Sequence, residues 1–557
     1  MKRYFSLVLI LAMLMSILAS CSSKSDQADF AQDGNTSADT AISEDLPNLD
    51  ETEEVSPHVS MEMPDGAAPA DEYDGGGNTT NTVTSDLKTE DMSDGEEYDM
   101  SPETGFLSAQ TDPLSTFSAD VDTASYSNMR RQIMNGNRPD GVRVEELVNY
   151  FSYDYDAPSY DSEVPFSVTT EVAKCPWNSS NALAMVGIAG KRLNSTGKIS
   201  NNVVFLIDVS GSMVGQNKLG LLQESFKMML ANFDKNDVIS IVTYAGSDSI
   251  VADSVKGDER VQLAKLIGDL EAGGSTAGHS AIQTAYNLAE KNYIEGGNNR
   301  IILATDGDFN VGPYSDDEMK SLLESEKDKG IFISVLGFGM GNLKDSKMET
   351  IADNGNGNYA YIDTIAEAKK VLVDEFDSTM FTIAKDVKFQ VEFNPAVVKE
   401  YRLIGYNNRR LANKDFDDDT KDAGEIGSGH SVTAFYELVL VNSNDGIELK
   451  YQDTPENTSG STDFCTVKLR YKRPREDESK LIEHVVTGDM FKENPSEDFI
   501  FGSSVAEFGL ILTNSEHKAD SDTQNVIKRA GASLGSDEYG LRKEFLEIVT
   551  QYQKYLE

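Results

Sequence analysis

Three oxygen-bearing side chains follow one short apolar segment of the chain. Residues 203–207 are wholly apolar, and Asp208, Ser210 and Ser212 come directly after them. An apolar run of this length predicts a β-strand that is buried on both faces. In open α/β sheets, ligands bind beyond the carboxyl ends of the strands, where these side chains would lie. One carboxylate and two hydroxyls are hard oxygen ligands, which favour Mg²⁺, Mn²⁺ or Ca²⁺ over Zn²⁺.

Two later segments carry further candidate ligands. Residues 273–276 read Gly-Gly-Ser-Thr and bring the Thr276 hydroxyl in front of a predicted helix. Residues 301–305 predict a second buried strand, and Asp306 follows it. A metal-free interpretation stays open for the first segment, because serines after a strand commonly cap the next helix.

The order Asp208, Ser210, Ser212, Thr276, Asp306, each in its strand or loop context, resembles the metal-ion-dependent adhesion site (MIDAS) of von Willebrand factor type A (VWA) domains. The resemblance implies that these five residues hold a divalent cation, Mg²⁺ first and Mn²⁺ or Ca²⁺ as alternatives. In the family the hydroxyls bind the ion directly and the carboxylates act mostly through water. One coordination position is left for an acidic side chain of a protein partner.

Strand and helix patterns alternate from residue 200 to residue 385, which predicts an α/β fold with a mainly parallel sheet and helices on both faces. The resemblance implies the Rossmann-like VWA fold for this region. Residues 106–199 predict an α+β N-terminal domain. Residues 386–557 predict a β-rich C-terminal domain with terminal helices. Both resemble the domains that flank the VWA domain in a family of bacterial lipoproteins, where the C-terminal one has no known function.

The first residues predict export. Lys2 and Arg3 precede an apolar run over 5–18, and the sequence Leu-Ala-Ser-Cys closes it at Cys21. This pattern is typical of a secretory signal peptide, here over 1–21. Its last four residues resemble a bacterial lipobox, which implies lipid attachment to Cys21. A membrane-spanning anchor is the alternative, but the apolar run is short for that role. We therefore expect a protein anchored by lipid to the cell membrane or outer membrane, with its globular part extracytoplasmic.

The segment after the lipobox is strongly acidic. Residues 22–105 contain 23 Asp and Glu against two lysines, Lys24 and Lys88, and they have few aliphatic clusters. Such a segment buries too little apolar surface to offset its ordering entropy, so it predicts a disordered tether. The formal net charge of the whole chain is −45, which argues against nucleic acid or anionic lipid as direct partners.

Competing chemistries fit the sequence less well. Residues 306–317 have the 1, 3, 5 spacing of an EF-hand loop, but the glycine falls one place late and Asp317 stands where glutamate is required. Neither glycine-rich phosphate-binding motif follows the first strand, so no nucleotide site is predicted. The sequence Gly-His-Ser-Ala-Ile over 278–282 lacks the second glycine of a serine-hydrolase elbow, and His279 is interpreted as a helix-start or surface residue.

Three other features stay open. The pair Asp120 and Asp122 is compatible with a metal, but a strand end that leads into a helix is favoured. The acidic residues over 417–422 are interpreted as a solvated loop rather than a calcium site. Cys175 and Cys465 would be free to form a disulfide in an oxidising compartment, although sequence alone does not show that they meet.

These observations favour a non-enzymatic, membrane-anchored module that recognises a protein partner through the metal site. The alternative is a cell-envelope assembly or maturation factor that docks an enzyme or transporter complex. A metal-assisted hydrolase is disfavoured, because the sequence places no evident general base beside the predicted metal loops.

Overall fold

The computed structural model describes residues 96–98, 101–193, 199–275, 279–307, 316–341, 343–441 and 461–556. The predicted signal peptide, Cys21 and nearly all of the predicted tether lie outside these residues. So do Thr276 and most of the loop that follows Asp306.

The described residues form β-strands and α-helices that we number in chain order. The strands are β1 Leu107–Ser108, β2 Leu114–Ser118, β3 Phe166–Lys174, β4 Ala182–Gly190, β5 Asn201–Asp208, β6 Val238–Tyr244, β7 Asp248–Lys256, β8 Asn298–Thr305, β9 Ile331–Phe338, β10 Tyr359–Ile362, β11 Thr382–Phe393, β12 Val398–Leu403, β13 Gly424–Gly427, β14 Ser431–Leu440, β15 Cys465–Lys472 and β16 Lys480–Val486. The helices are α1 Ala124–Met134, α2 Val144–Asn149, α3 Leu221–Met229, α4 Arg260–Gly268, α5 His279–Lys291, α6 Asp316–Asp328, α7 Asp345–Asn354, α8 Ile365–Lys369, α9 Phe376–Met380, α10 Glu497–Leu512, α11 Thr523–Gly531 and α12 Leu541–Leu556.

The central sheet has the strand order β10-β9-β8-β5-β6-β7. Its neighbours are parallel except β6 and β7, which are antiparallel. Side chains of β5 alternate between two apolar layers: Phe205 packs on the side of α3, and Leu206 packs on the side of α5. The predicted mainly parallel sheet with helices on both faces is therefore confirmed.

The two remaining sheets are antiparallel and combine strands from both ends of the chain. One has the order β1-β12-β14-β4-β3, and the other has the order β13-β11-β15-β16 with β2 also paired to β11. Apolar side chains from both sheets form one shared core. Across it, the rings of Phe393 on β11 and Tyr401 on β12 stack with their centroids 4.0 Å apart.

The prediction that 106–199 and 386–557 are two separate domains is wrong. β4 pairs with β14 along its length, so that Ala184 lies opposite Tyr436. Helices from the two ends of the chain also pack together. The ring centroids of Phe151, which follows α2, and Phe501 of α10 are 4.9 Å apart. Alternation within a sequence shows that a strand has one buried face, but it does not show which strand lies beside it.

The prediction that the acidic tether extends to residue 105 is also wrong at its end. Glu96 accepts a hydrogen bond from Arg131 at 2.9 Å, and Glu103 accepts one from Arg402 at 2.8 Å. The composition of this segment predicts disorder because it has little apolar surface to bury. Its last residues are instead held by charged pairs with the folded part of the chain.

Two connecting segments of the chain contain short elements. The segment between β10 and β11 contains α8, a π-type turn over Lys370–Asp374, and α9. The segment between β12 and β14 contains short 3₁₀ turns and β13. Within the described ranges, no helix combines the length and the apolar character needed to cross a membrane.

Candidate metal centre

The predicted metal ligands lie where two neighbouring central strands end. β5 and β8 are parallel neighbours, with Ile207 opposite Ala304, so Asp208 and Thr305 come next to each other at one edge of the sheet. The Thr305 hydroxyl donates a hydrogen bond of 3.1 Å to Asp208 Oδ2. The strands that flank β5 lead away in opposite directions along the sheet, which makes this edge a topological switch point.

Asp208 is fully buried, and both of its carboxylate oxygens have donors. The Ser210 amide donates to Oδ1 at 2.8 Å, and the Tyr244 hydroxyl donates to Oδ2 at 3.2 Å. Burial raises the pKa of Asp208, and the negative charge of Asp306 acts in the same direction, while the hydrogen bonds from Ser210 oppose both. These donors fix the orientation of the Asp208 side chain.

The two serines lie together in the loop that follows β5. Their hydroxyl oxygens are 2.8 Å apart, with Ser210 buried and Ser212 half-buried. A short 3₁₀ turn over Gly211–Met213 brings them to the same side. The fully buried Met213 side chain anchors the turn in the apolar layer beneath.

The second predicted loop is tied to the first by its backbone. The Gly211 amide donates to the Gly274 carbonyl at 3.0 Å, and the Gly273 amide donates to the Val209 carbonyl at 2.8 Å. Gly274 has φ = +86°, a conformation that glycine adopts without strain. Thr276 itself lies outside the described residues, so the structure does not report its position.

Asp306 follows β8, and its two carboxylate oxygens have different surroundings. Oδ2 accepts a hydrogen bond from Lys218 Nζ at 2.8 Å. Oδ1 is buried and has no hydrogen-bond partner among the described residues. A buried acceptor without a donor is costly, and an ion at this place would satisfy it.

The donor set therefore fits a hard divalent cation. It combines an orphaned carboxylate oxygen, two adjacent hydroxyls and a second buried carboxylate, all of them oxygen ligands. Four of the five predicted residues are described, and the hydrogen bonds link Asp208 to Ser210 and Ser210 to Ser212. The negative charge of Asp306 in the third predicted loop raises the pKa of Asp208, so the two carboxylates lie close enough to repel each other.

Sequence reasoning missed three residues of this centre. Tyr244 and Thr305 support Asp208, and both stand at the ends of strands that the sequence identifies, so their strand-end position was an available signal. Lys218 had no comparable signal, because 88 positions separate it from its partner Asp306.

A second group of carboxylates lies elsewhere in the molecule. One oxygen each from Asp120, Asp122 and Asp353 lies within 4.8 Å of the others. The Arg409 guanidinium donates to Asp120 at 2.7 Å and to Asp122 at 3.2 Å, so a protein cation already balances part of this charge. Asp120 and Asp122 stand between β2 and α1, as the favoured strand-to-helix interpretation has it.

The structure also shows the surroundings of the two cysteines and of the acidic loop. Cys175 and Cys465 are buried free thiols, so the disulfide considered from sequence is not formed. In the acidic loop, the exposed Asp417 and Asp419 pair with Arg470, and the exposed Asp422 pairs with Lys327; both basic side chains are half-buried.

Comparison with known proteins agrees with the fold of the central domain. Residues 202–374 match the family described as von Willebrand factor type A domain, and residues 92–185 match that described as von Willebrand factor. The fold and the site thus define a VWA-domain protein. VWA domains are generally protein-interaction modules, typically non-catalytic, and they often bind a divalent metal at a MIDAS.

The particular family follows from the whole length of the chain. Residues 378–555 match the family described as "Uncharacterized protein YfbK, C-terminal". The chain is 41% identical over 448 residues to "Uncharacterized protein YfbK" of Escherichia coli (strain K12), across 78% of this chain and 77% of that relative. It belongs to the YfbK family.

More distant relatives share shorter regions. "Inter-alpha-trypsin inhibitor heavy chain H3" of Bos taurus is 27% identical over 167 residues, which are 28% of this chain and 18% of that protein. The solved structure "von Willebrand factor type A from Catenulispora acidiphila" is 14% identical, with a TM-score of 0.41, and the match covers 71% of this chain and 91% of that one.

Proposed function

We propose that this protein is an exported, lipid-anchored recognition module that binds an acidic side chain of a protein partner through a divalent ion. The ion is held by Asp208, Ser210, Ser212, Thr276 and Asp306, and Mg²⁺ is the proposed species, with Mn²⁺ or Ca²⁺ as alternatives. The single observation that carries this proposal is the buried Oδ1 of Asp306, which has no hydrogen-bond partner in the described part of the chain and lies at the sheet edge where the other oxygen ligands gather.

The charge of the centre favours an acidic visitor. Asp208 and Asp306 are the carboxylates of the proposed set, and the other ligands are neutral hydroxyls. A divalent ion in such a set keeps enough positive potential to attract a further carboxylate. When bound, the ion supplies that electrostatic attraction, while Tyr244, Thr305 and the Ser210 amide keep Asp208 in place.

Metal-dependent thermal stabilisation tests the site. Adding Mg²⁺ or Mn²⁺ should raise the unfolding temperature of the wild-type protein, because a ligand at one hundred times its Kd stabilises the folded state by about 2.7 kcal/mol. Asp208→Asn should lose most of this shift. The matched control is Asp253→Asn, since Asp253 is an exposed carboxylate of β7 paired with Lys291; it should keep the full shift.

Asp208 is buried, so its variant also needs a check on folding. Circular dichroism without metal should match that of the wild type, and Ser212→Ala provides a second variant at a half-buried position. Equal metal-induced shifts in the wild type, Asp208→Asn and Ser212→Ala would refute the proposed centre.

The anchor is a separate part of the proposal, supported by the lipobox sequence that ends at Cys21. Cys21→Ala should release the protein from the membrane fraction and move it from the detergent phase to the aqueous phase in phase partition. A single myristoyl-type chain binds membranes only marginally, so the lipid is expected to be a multiply acylated one. Unchanged partition of the variant would rule out lipid attachment at this cysteine.

A further inference from the structure

Lys218 reaches the metal centre from outside the predicted ligand set. Its ammonium nitrogen lies 2.8 Å from Asp306 Oδ2, and its side chain is only 13% exposed. Asp306 is fully buried at this contact. The pair is therefore an internal ion pair of the centre rather than a surface one, and it is less screened by solvent than an exposed pair.

Two glycines lie close to the Lys218 side chain. The Lys218 side chain crosses Gly339, which follows β9, and a Cβ on Gly339 would lie 2.4 Å from Lys218 Cγ. Gly339 has φ = +78°, and Gly215, which precedes the turn Gln216–Gly220, has φ = +148°. Both glycines close to the Lys218 side chain thus have backbone conformations that favour glycine.

We propose that Lys218 is a resident positive charge that weakens the binding of a divalent ion and strengthens the hold of the loaded centre on a carboxylate. This inference rests on the proposed function, because it concerns the regulation of the same site. It assigns a role in ligand specificity to a residue that is not itself one of the proposed metal ligands.

The sign of the effect follows from the charges. Asp208 and Asp306 with Lys218 leave a single net negative charge, so a bound divalent ion makes the centre net positive. A partner carboxylate then neutralises it. Without Lys218 the ion alone would neutralise the two carboxylates, and an incoming carboxylate would add excess negative charge. Lys218 therefore raises the affinity of the loaded centre for an acid, and because linkage is reciprocal, the bound acid strengthens ion binding in turn.

The experiment compares Mn²⁺ binding by isothermal titration in the wild type, Lys218→Met and Lys218→Arg. Methionine keeps an unbranched chain across Gly339 but removes the charge. Lys218→Met should lower the Kd for Mn²⁺ about tenfold, and Lys218→Arg should stay close to the wild type. Added acetate should tighten Mn²⁺ binding in the wild type and should have less effect in Lys218→Met.

The matched control is Lys291→Met. Lys291 also pairs with an aspartate, Asp253, but both side chains are about half exposed. Its replacement removes the same charge from the protein and should leave the Kd for Mn²⁺ unchanged. A tenfold change in this control would mean that the overall charge of the chain, not Lys218, sets the affinity, and would overturn the proposal.

The outcomes separate this inference from the proposed function. Mn²⁺ binding by the wild type with an equal or larger Kd in Lys218→Met overturns the inference alone, because Lys218 would then merely orient Asp306. Absence of Mn²⁺ binding in both proteins overturns the inference and the proposed metal centre together.

Discussion

The two aspartates of the metal centre have different surroundings and therefore different roles. Asp208 has donors on both oxygens, so it fixes the loop after β5 and contributes negative charge. Asp306 gives one oxygen to Lys218 and keeps the other without a donor in the described part of the chain. An ion at the centre therefore gains most from Asp306, and any change that moves Lys218 alters the electrostatics of that carboxylate.

Gly339→Ala should move Lys218 without replacing a charged residue. The new Cβ would collide with the flexible lysine chain, which must leave Asp306, while the backbone at φ = +78° becomes unfavourable. We expect the free energy of unfolding to fall by about 1 kcal/mol. If Lys218 weakens ion binding, the Kd for Mn²⁺ should fall in the same variant, as isothermal titration would measure.

Gly341→Ala is the matched control for this prediction. Gly341 also has a left-handed backbone, with φ = +93°, but no atom of the described residues would lie within 4 Å of an added Cβ. It should therefore lose similar stability and bind Mn²⁺ as the wild type does. Unaltered Mn²⁺ affinity in Gly339→Ala, with the expected loss of stability, would contradict the proposed link between the lysine's path and the ion.

At the scale of elements, the central sheet is the part that sequence predicts best. Strands β5 and β8 contain continuous apolar runs and β9 is interrupted only by Ser334 before Gly337, because both faces of a parallel strand are buried. The carboxyl ends of such strands share one edge, so Asp208 and Asp306 could be assigned to one site without coordinates. The family resemblance added Thr276, which lies outside the described residues.

Contacts between distant segments are what the sequence did not predict. The turn Gln216–Gly220 precedes α3, whose apolar spacing is readable, yet nothing in that spacing shows that Lys218 points at Asp306. The strand β2 is also short, and its pairing with β11 joins residues more than 250 positions apart. Period-two alternation is local information, whereas register and neighbours depend on packing of the whole chain.

At the scale of the whole molecule, one arginine joins three segments of the chain. Arg409 comes from the C-terminal part and is 6% exposed. Its guanidinium donates to Asp120 at 2.7 Å in the N-terminal part and to Glu349 at 3.1 Å on α7 of the VWA domain. The VWA domain is thereby fixed to the two antiparallel sheets by charge as well as by apolar contact.

Glu349 is a buried carboxyl group of this cluster, and its surroundings change its pKa. Burial raises the pKa of Glu349 from 4.5 to about 7, although Arg143 and Arg409 lower it. Between these two pH values the folded protein binds a proton that the unfolded chain does not bind. The contribution of Glu349 to stability is therefore complete below about pH 4.5 and is lost as the pH rises through about 7.

Arg409→Met should destabilise the protein by about 3–5 kcal/mol, because it leaves buried carboxylates without their shared cation. The loss should be larger at pH 8 than at pH 6, since Glu349 is ionised at the higher pH and needs the arginine more. Urea denaturation at both values measures the effect. The matched control is Arg470→Met, since Arg470 also pairs with two aspartates, Asp417 and Asp419, at exposed positions.

Arg470→Met should cost less than about 1 kcal/mol at either pH, as is usual for exposed ion pairs. Equal losses for the two arginine variants would mean that Arg409 is no more important than a surface residue. The three segments would then be held together by other contacts, such as the ion pair of Arg143 with Asp345 on α7 at 2.7 Å. A loss for Arg409→Met that does not grow with pH would instead remove Glu349 from the explanation, while leaving the arginine as the structural link.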